Sequence, residues 1–552
     1  MKNNYIWALI SAFLLWLGWP PVPYSALLLL IAFVPLLMAI ERVILDDTTK
    51  KGQKIFLLAG FTALIWNTTS IYWVYNAISA VMPAYIAIFI SLIPFGLAAL
   101  MIAIVFKLYY QLRKRYSVSG SLVGLVCLWI GYEYLHQSWD LAFPWMTLGN
   151  GFSNTHQLIQ WYAYTGVYGG TAWIWLCNIA LFLVLRKRIY EKTSTLNFKH
   201  TLNFKQFIRF ALAVLIPSII SLVQYFSYEE HENPSNVVVV QPNIDPYGKF
   251  GNIPVATQVE NLIRLSRDKA QTNTEFFIWP ESAIPERPPG VNEEEIRNND
   301  SYLRIRDFLY NYKNGNVLSG IESMQLYDSL QTPSARQFSN VSKYYDVFNA
   351  AVLIDNSSKV QFYHKSKLVP GVEQTPFSYL SFLKPLFAAF GGSTGSYGSQ
   401  EKPSVFYSQS GIGAAPVICY ESIWGNYVAE YVRQGAQFIA VITNDGWWGN
   451  TSGKSQHLAY AKLRAIENRR WVARAANTGI SAFINQRGDI VSQSEWWVPT
   501  ALKADINLNE EITFYTATGD YFAYAACFGC AIYLVLLLGT FFKRFGRGVV
   551  SR

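Results

Sequence analysis

Three residues of different chemical types stand directly after short apolar runs in the second half of the chain. Cys419 follows Ala414 to Ile418, Glu281 follows FFIWP, and Lys365 follows VQFYH. A thiol with a pKa near ~8.5 is mostly protonated at neutral pH, so a nucleophilic cysteine needs a base or a neighbouring cation. Desolvation is expected to raise the pKa of Glu281 towards a working base, and the Lys365 ammonium can stabilise a thiolate and an oxyanion. These residue types predict acyl chemistry at Cys419.

Each of these residues also has a purely structural interpretation. An isolated cysteine after a strand is more often a core residue, and a lone glutamate such as Glu281 suits the start of a helix. Most lysines are solvated, and Lys367 competes with Lys365 for any special role. Cys419 is the single cysteine between residues 228 and 520, so it has no partner for a disulfide within that region. Only the combination of the three residues favours a catalytic site.

The segments around these residues have the pattern of an α/β domain. After Pro234, short β-branched runs bounded by turn residues alternate with helical patterns, which predicts an α/β or α+β fold with sheets covered by helices. The predicted strands are Val237–Val240, Phe276–Trp279, Val317–Ile321, Phe348–Ile354, Val360–Tyr363, Ala414–Ile418, Phe438–Ile442 and Ile480–Ile484. Glu281, Lys365 and Cys419 each follow the end of one of these strands.

Two helices are predicted in the same region, at Thr257–Ala270 and Ser455–Ala475. In the second helix, helical spacing places Arg464 and Glu467 off the buried face. The residues predicted on the buried face are Leu458, Ala461, Ala465 and Val472.

The composition indicates that part of the chain lies in a membrane. Of its 552 residues, 51% are hydrophobic and only 15% are charged, which is too apolar for an ordinary soluble enzyme. About eight spans are predicted, and the first two are short for a hydrocarbon core of ~30 Å. The predicted spans are Tyr5–Trp19, Ala26–Ile40, Ile55–Ile78, Tyr85–Phe106, Ser121–Leu135, Trp161–Leu185, Phe210–Phe226 and Tyr521–Phe542. The first is predicted to be retained, because WPPVP follows it in place of a small-residue cleavage site.

The distribution of Lys and Arg predicts the orientation of the chain. Basic residues near membrane spans are retained on the cytoplasmic side. If both termini are inside, the outer loops among the first seven spans contain neither Lys nor Arg. We therefore predict a membrane domain at 1–227, an extracytoplasmic domain at 228–520, and a last span with a cytoplasmic tail at 521–552. The basic isoelectric point then reflects topology, so the outer domain lacks the basic surface of a nucleic-acid-binding protein.

Other motifs are interpreted as non-catalytic. Gly391–Gly395 matches the Gly-x-Ser-x-Gly elbow of serine hydrolases, but it lacks the flanking strand and helix. His364 and His457 are predicted to be structural or surface groups, because no further ligand completes a metal-binding spacing. Cys527 and Cys530 lie in an apolar span and suit helix packing. Neither a metal nor another cofactor is expected.

Motifs around the three candidate residues resemble the nitrilase, or carbon–nitrogen hydrolase, superfamily. The similarity rests on QPNI at 241–244, WPES at 279–282, YHKSKLVPGVE at 363–373, ICYE at 418–421 and TNDGWWG at 443–449. The whole chain is similar to the membrane-bound branch, the apolipoprotein N-acyltransferase family, in which eight spans accompany an outward nitrilase-like domain. The resemblance implies a helical transmembrane bundle joined to an αββα sandwich.

The resemblance also implies roles for individual residues. Glu281 is expected to be the general base, Lys365 the stabiliser of the thiolate and oxyanion, and Cys419 the nucleophile. The auxiliary active-site residues implied in the same way are Glu373, Tyr420 and Glu421. The implied substrate and lid residues are Phe250, Trp447 and Trp448. The loop-like segment Phe382–Phe406, with aromatic residues on both sides of a Gly and Ser cluster, is typical of a lid or a disordered linker. Two departures concern LVPGVE at 368–373, where the family has LVPFGE, and Phe250, where an arm tryptophan is expected.

The substrates follow from the resemblance as well. A phospholipid would acylate Cys419, and the α-amine of a diacylglyceryl apolipoprotein would take the acyl chain from the thioester. The resemblance implies a multi-pass protein of the bacterial inner membrane with a periplasmic catalytic domain, and nothing requires more than a monomer. Two alternatives stay open: a membrane-tethered amidase or nitrilase that uses water as the acceptor, and a non-enzymatic lipoprotein scaffold.

Overall fold

The structure is a computed structural model and describes most of the chain. The described residues are 2–80, 82–190, 204–251, 253–286, 290–339, 341–377 and 397–549. The Gly391–Gly395 motif and most of the expected lid lie outside them. The chain divides into two compact units, Met1–Ser79 with Pro83–Phe226 and Asp520–Arg552, and Ser227–Gly519 with Ala80–Met82.

Fourteen α-helices occur in the described residues. In chain order they are α1 (Lys2–Leu17), α2 (Val34–Leu45), α3 (Lys51–Ser70), α4 (Trp73–Ser79), α5 (Ala84–Arg113), α6 (Val118–His136), α7 (Tyr162–Tyr190), α8 (Phe204–Ser227), α9 (Val255–Lys269), α10 (Asp300–Leu309), α11 (Gly425–Arg433), α12 (Ser452–Asn468), α13 (Phe514–Thr518) and α14 (Tyr521–Val549). The first unit is built from α1 to α8 and α14.

Six helical segments of the described residues are long and apolar enough to cross a membrane, and the bent pair α3 and α4 makes a seventh if it forms one span. The six are Ser25–Leu45, Ala84–Arg113, Val118–His136, Tyr162–Arg186, Phe204–Ser227 and Tyr521–Gly539. Helix α1 is apolar but has only 16 residues. Large apolar side chains on α8 and α14, such as Ile219 and Val535, are exposed, as expected for surfaces that face lipid. The prediction of a multi-pass membrane protein with about eight spans agrees with this.

The second unit contains two β-sheets. Its strands are β1 (Pro234–Gln241), β2 (Thr274–Ile278), β3 (Val291–Asn292), β4 (Asn316–Tyr327), β5 (Arg336–Gln337), β6 (Tyr344–Ile354), β7 (Val360–His364), β8 (Phe406–Tyr407), β9 (Gly413–Ile418), β10 (Phe438–Thr443), β11 (Val472–Ala476), β12 (Ala482–Ile484), β13 (Ile490–Gln493) and β14 (Thr500–Asn507). The first sheet has the order β14-β1-β2-β4-β6-β5, with β3 beside β4 and β7 beside β6. The second has the order β13-β12-β11-β10-β9-β8.

The two sheets pack face to face between layers of helices. Alternate side chains of a strand point to opposite faces, and both faces of β1 and β2 are buried. Val238 and Phe277 pack in the core with residues of α9 and α10. Phe276 points the other way and contacts Phe438 of the second sheet, with 5.1 Å between ring centroids. Helices α11 and α12 contact the outer face of the second sheet. The predicted αββα sandwich is confirmed.

Helix α12 corrects two predictions. Arg469 adopts a left-handed φ of 48°, which ends the helix after Asn468, so the predicted helix runs too far and Val472 instead begins β11. Arg464 and Glu467, predicted off the buried face, are fully buried and form an ion pair at 2.8 Å. Because α12 packs against the second sheet and also against α11 and α13, burial extends around the helix and its spacing pattern does not reveal one face.

Candidate active site

Four strands of the first sheet bring polar side chains to one end. Strand β2 is followed by Glu281, β7 is followed by Lys365, and β4 and β6 lie between them in the sheet. Asn349 of β6 pairs with Glu322 of β4, and its carbonyl oxygen accepts a hydrogen bond from Lys365 N at 3.0 Å. The strand register therefore places the base, the lysine and an unpredicted asparagine together.

Two donors hold two carboxylates at the centre of this group. Lys365 Nζ donates to Glu281 Oε1 at 3.1 Å and to Glu373 Oε1 at 2.8 Å. Asn349 Nδ2 donates to the same two oxygens, at 2.8 Å and 2.9 Å. Glu373 was predicted as an auxiliary residue, whereas Asn349 was missed. Its sequence signal is one polar residue within the apolar run VFNAAVLI.

The electrostatics of Glu281 differ from the expectation. Burial alone would raise its pKa, but the Lys365 ammonium and the hydrogen bonds from Asn349 and Lys365 outweigh burial, so the pKa is lowered. Burial likewise disfavours the charged form of Lys365, yet the Glu281 and Glu373 carboxylates raise its pKa well above the usual value. Glu281 is therefore a carboxylate and Lys365 an ammonium at neutral pH.

The second sheet contributes Cys419 to the same group. Cys419 follows β9 and adopts a left-handed φ of 49°, so the chain turns sharply at the strand end. Its side chain is close enough to Glu281, and to Thr443 at the end of the neighbouring parallel strand β10, for both residues to shift the pKa of the thiol. Burial and the Glu281 anion raise the pKa of the Cys419 thiol, although Lys365 partly opposes them. The resting nucleophile is therefore a protonated thiol beside an ionised carboxylate.

Glu421 joins the Lys365 segment to the Cys419 segment. Its Oε1 accepts hydrogen bonds from Tyr363 OH at 2.5 Å and from Ser366 N at 2.7 Å. Its Oε2 accepts from Ile418 N at 2.9 Å. These bonds connect the residues on either side of Lys365 in the first sheet with the end of β9 in the second. Glu421 thus fixes the spacing between the predicted nucleophile and its cation.

The turn at 368–373 shows how the chain accommodates its departure from the family pattern. Gly371 takes φ of 80°, which favours glycine, and its N–H donates to Gln374 O at 2.8 Å. Glu373 Oε2 accepts a hydrogen bond from Val369 N at 2.8 Å, while Oε1 remains on Lys365. The glycine of this turn stands one position earlier than in the family pattern LVPFGE, and Glu373 nevertheless reaches Lys365 in the site.

Known families and proteins match this chain along most of its length. The family model described as the N-terminal domain of apolipoprotein N-acyltransferase matches residues 11–180, and the carbon–nitrogen hydrolase model matches residues 236–514. An apolipoprotein N-acyltransferase of Chlorobaculum tepidum is 30% identical, covering 97% of this chain and 97% of that protein. The chain belongs to the apolipoprotein N-acyltransferase family. The resemblance inferred from the motifs is confirmed, and with it the prediction of an acyltransferase enzyme.

Two further matches add detail. An apolipoprotein N-acyltransferase of Geobacter metallireducens is 29% identical over 97% of this chain and 95% of that protein. Among solved structures, an amidase of the nitrilase superfamily from Nesterenkonia covers 54% of this chain and 99% of its own, at 14% sequence identity and a TM-score of 0.36. Within residues 2–549, apart from the gaps given above, no group of three His, Cys, Asp or Glu side chains could hold a metal ion.

The aromatic residues expected near the substrate lie on the second unit's loops. Phe250 is partly exposed, next to the buried Lys249. The Trp447 ring packs edge-on against Tyr247 with 5.0 Å between centroids, and Tyr247 OH donates to Trp447 O at 3.3 Å. Trp448 packs against a buried histidine of α12 at 5.3 Å. The roles of these residues in substrate binding stay predictions.

The backbone of Gly320 on β4 packs closely against the backbone of Glu281 and Ser282. A Cβ at Gly320 would lie 2.4 Å from Ser282 N and 2.6 Å from Glu281 Cα. Lys249 Nζ donates to Glu281 O at 3.0 Å, and Ser282 Oγ donates to Glu322 Oε1 at 2.8 Å. The base is thus held by its backbone as well as by its side chain.

We expect Gly320→Ala to impair catalysis by displacing Glu281. The clash involves backbone atoms of residues 280–282, after the end of β2, so this segment must move, which typically costs about 1–3 kcal/mol of stability. A shift of the base by ~1 Å lowers a rate roughly 10²-fold. Steady-state kinetics and thermal unfolding of the variant check both effects. Gly96→Ala, within α5 of the first unit and with nothing within 4 Å of its Cβ, is the matched control for a glycine substitution outside the site. Wild-type kinetics for Gly320→Ala would contradict the close packing.

Two buried glutamates predict a pH dependence of stability. Burial raises the pKa of Glu322 and of Glu421 to about 7, above the roughly 4.3 of an unfolded glutamate. Between these values the folded chain holds protons that the unfolded chain has released, so their stabilising contribution is largest below ~4.3 and is lost as the pH rises through ~7. The thermal unfolding midpoint of Glu322→Gln should therefore fall less than that of the wild type between about pH 5 and pH 8. Identical slopes for the two proteins would contradict this assignment.

Proposed function

We propose that this enzyme transfers an acyl chain from a phospholipid to the N-terminal α-amine of a diacylglyceryl-cysteine apolipoprotein, through a thioester at Cys419. The observation that carries the proposal is the grouping of the Cys419 thiol with the Glu281 carboxylate and the Lys365 ammonium, the last two of which are hydrogen-bonded at 3.1 Å. The similarity to apolipoprotein N-acyltransferases supports the lipoprotein acceptor, and the apolar helices support a lipid donor.

The first half-reaction acylates the enzyme. As the sulfur of Cys419 attacks the ester carbonyl carbon, the thiol proton passes to Glu281 and the carbonyl electron pair moves to the oxygen. Lys365 and the Tyr420 N–H stabilise this oxyanion. When the carbonyl reforms, the bond to the glycerol oxygen breaks, and Glu281 returns the proton to that oxygen. A lysophospholipid leaves and the acyl chain remains as a thioester.

The second half-reaction transfers the acyl chain to the lipoprotein. The free α-amine attacks the thioester carbonyl carbon, and Glu281 takes one proton from the attacking nitrogen. The tetrahedral intermediate then expels the Cys419 sulfur, which recovers its proton from Glu281. The product is an amide, and the enzyme returns to its resting protonation state.

The opposed pKa shifts of the two groups fit a proton transfer that accompanies attack. Because the pKa of Cys419 is raised and that of Glu281 is lowered, a free thiolate is not the resting state. Proton transfer becomes favourable only as the C–S bond forms and charge moves to the oxyanion near Lys365. The thiol is thereby protected from side reactions until an acyl donor binds.

The arrangement in the membrane is part of the proposal. Residues 228–520 would lie on the periplasmic side of the inner membrane, with residues 1–227 and 521–552 forming the membrane part, and the concentration of basic residues in alternate loops supports this orientation. Both acylated substrates would then reach the site without leaving the bilayer. One copy of the chain contains all three proposed catalytic residues, which fits a monomer.

The identity of the acceptor separates this proposal from a membrane-tethered amidase. Purified enzyme in phospholipid nanodiscs, incubated with a diacylglyceryl lipopeptide, should convert the lipopeptide to its N-acylated form and release lysophospholipid in equal amount. A lipopeptide with an acetylated α-amine is the matched control and should remain unchanged. Release of free fatty acid without N-acylated peptide would favour the amidase, and no turnover by folded protein would favour a scaffold.

A further inference from the structure

A buried histidine contacts the backbone of the proposed nucleophile. His457, on α12, places Nε2 3.2 Å from Cys419 O and 2.9 Å from Ser422 Oγ. Ser422 Oγ donates to the same Cys419 oxygen at 2.8 Å. The side chains of His457 and Ser422 are almost completely buried. Two side chains therefore hold one peptide oxygen, although His457 carried no assigned role beyond a structural one.

The other edge of the histidine ring is fixed by a charged cluster. Nδ1 lies 2.9 Å from Asp445 Oδ1 and 3.1 Å from Arg474 Nη2, and Arg474 Nη2 donates to Asp445 Oδ2 at 2.6 Å. Burial would raise the pKa of Asp445, but Arg474 and His457 lower it strongly, so Asp445 is a carboxylate that accepts a hydrogen bond from Nδ1. For Nε2 also to donate to Cys419 O, both ring nitrogens must carry a proton, and the Asp445 carboxylate then balances the charge of the ring. Trp448 packs against the ring at 5.3 Å. Contacts with Asp445, Arg474 and Trp448 thus fix the orientation of the ring, with Nε2 facing the Cys419 peptide.

The direction of a peptide oxygen determines the direction of the following N–H. A trans peptide group is planar, and its C=O and N–H point in opposite directions. Fixing Cys419 O therefore fixes the orientation of the Tyr420 N–H, which the proposed mechanism uses at the oxyanion. The left-handed φ of Cys419 is uncommon for a residue other than glycine and needs such support.

We propose that His457 and Ser422 are positioning residues that aim the Tyr420 N–H at the substrate oxyanion by holding the Cys419 carbonyl oxygen. This inference rests on the proposed acylation of Cys419. It assigns neither residue a contact with the substrate. Its consequence is selective: reactions of Cys419 that develop an oxyanion depend on His457, and reactions of the same sulfur that develop none do not.

Two reagents distinguish positioning from a general structural role. p-Nitrophenyl acetate acylates the thiol through a tetrahedral oxyanion, with nitrophenolate as the leaving group. Chloroacetamide alkylates the thiol by displacing chloride at a saturated carbon, with no oxyanion. Both reactions transfer the thiol proton to Glu281. The ratio of their second-order rate constants, measured on the full chain in detergent by mass spectrometry of Cys419, isolates the oxyanion step.

His457→Ala should lower the acylation rate constant about 30-fold, since removing an oxyanion-hole donor outright costs about 10²–10³-fold, and should leave alkylation nearly unchanged. Ser422→Ala should lower acylation about tenfold by the same reasoning. His457→Gln, whose amide nitrogen stands near the position of Nε2, should restore most of the acylation rate. His231→Ala, at an exposed histidine, is the matched control and should react as the wild type does.

The other outcomes overturn the inference, the proposed function or both, or leave the decision to the remaining variants. Equal losses of acylation and alkylation would show a general disturbance of the nucleophile, and unchanged acylation in His457→Ala and Ser422→Ala would show that neither residue positions the donor. If His457→Ala does not fold, Ser422→Ala and His457→Gln decide the question by the same ratio. If wild-type Cys419 accepts an acetyl group but no phospholipid acyl chain, the proposed function fails while the ratio still tests the inference. Absence of any acylation in the wild type overturns both.

Discussion

Cys419→Ala will form no acyl-enzyme and will lower N-acylation of a lipopeptide by at least about 10⁴-fold, because loss of a covalent nucleophile removes the chemical route and not only part of its stabilisation. Quantification of N-acylated lipopeptide over time measures this effect. Without the thiol, Glu281, Lys365 and Glu373 remain in the site, but none of them can form the thioester that carries the acyl chain. The variant should fold normally, since alanine is smaller than cysteine and apolar.

The matched control for this loss is another cysteine of the same chain. Cys127 is a free cysteine on α6 in the first unit, whereas Cys419 belongs to the second. Cys127→Ala should retain wild-type activity. N-acylation by Cys419→Ala at more than a trace of the wild-type rate would mean that the acyl chain passes directly from donor to acceptor.

Glu281→Gln is expected to lower the acylation rate about 10²–10⁴-fold, the usual contribution of a general base. The amide oxygen of glutamine can keep the hydrogen bonds from Asn349 and Lys365, so the substitution removes the proton acceptor while it preserves much of the local packing. The residual reaction must use thiolate formed without a base. Its rate should therefore rise about tenfold per pH unit below the thiol pKa, and single-turnover acylation across a pH series measures this.

Glu275→Gln provides the comparison for Glu281→Gln. Glu275 lies on the same strand, β2, and its carboxylate accepts a hydrogen bond from Ser408 Oγ away from the cysteine. The acylation rate of Glu275→Gln should equal that of the wild type at every pH. A Glu281→Gln rate close to the wild-type rate would show that another group accepts the thiol proton.

Local motifs predict the site better than they predict its supporting residues. Glu281, Lys365 and Cys419 each follow a strand with a strong β-branched pattern, so their positions at strand ends can be deduced from the chain itself. Asn349 reaches the two carboxylates only because β4, β6 and β7 are neighbours, and a single sequence does not give that order. His457 has no local signal at all, since its partners come from three other segments.

Tertiary pairing explains β11, one of several strands that the sequence patterns do not predict. The segment of β11 reads VARAA, and alanine and arginine favour helices, so it was assigned to the preceding helix. In the structure it pairs with β10 on one side and β12 on the other. Strand preference depends on neighbours more than on the residues themselves. Arg474 on this strand then reaches Asp445, which makes the missed strand part of the support for the nucleophile.

The lowered pKa of Glu281 shows why burial alone is a poor guide to a base. The sequence suggested a desolvated carboxylate with a raised pKa. Such a shift occurs nearby, at Glu322 and Glu421, where burial is the largest influence and raises each pKa to about 7. At Glu281 the Lys365 ammonium reverses the direction. The charge of the neighbouring group therefore decides which buried carboxylate remains ionised.

The central claim is that one acyl chain rests on Cys419 between donor and acceptor. Mass spectrometry of the intact protein after a single exposure to phospholipid, followed by addition of diacylglyceryl lipopeptide, tests it directly. The proposed mechanism predicts a mass increase of one acyl group on Cys419, and its disappearance on lipopeptide addition with an equal amount of N-acylated peptide. Absence of the adduct in folded, active enzyme, or an adduct that decays to free fatty acid without acylating the peptide, would contradict it.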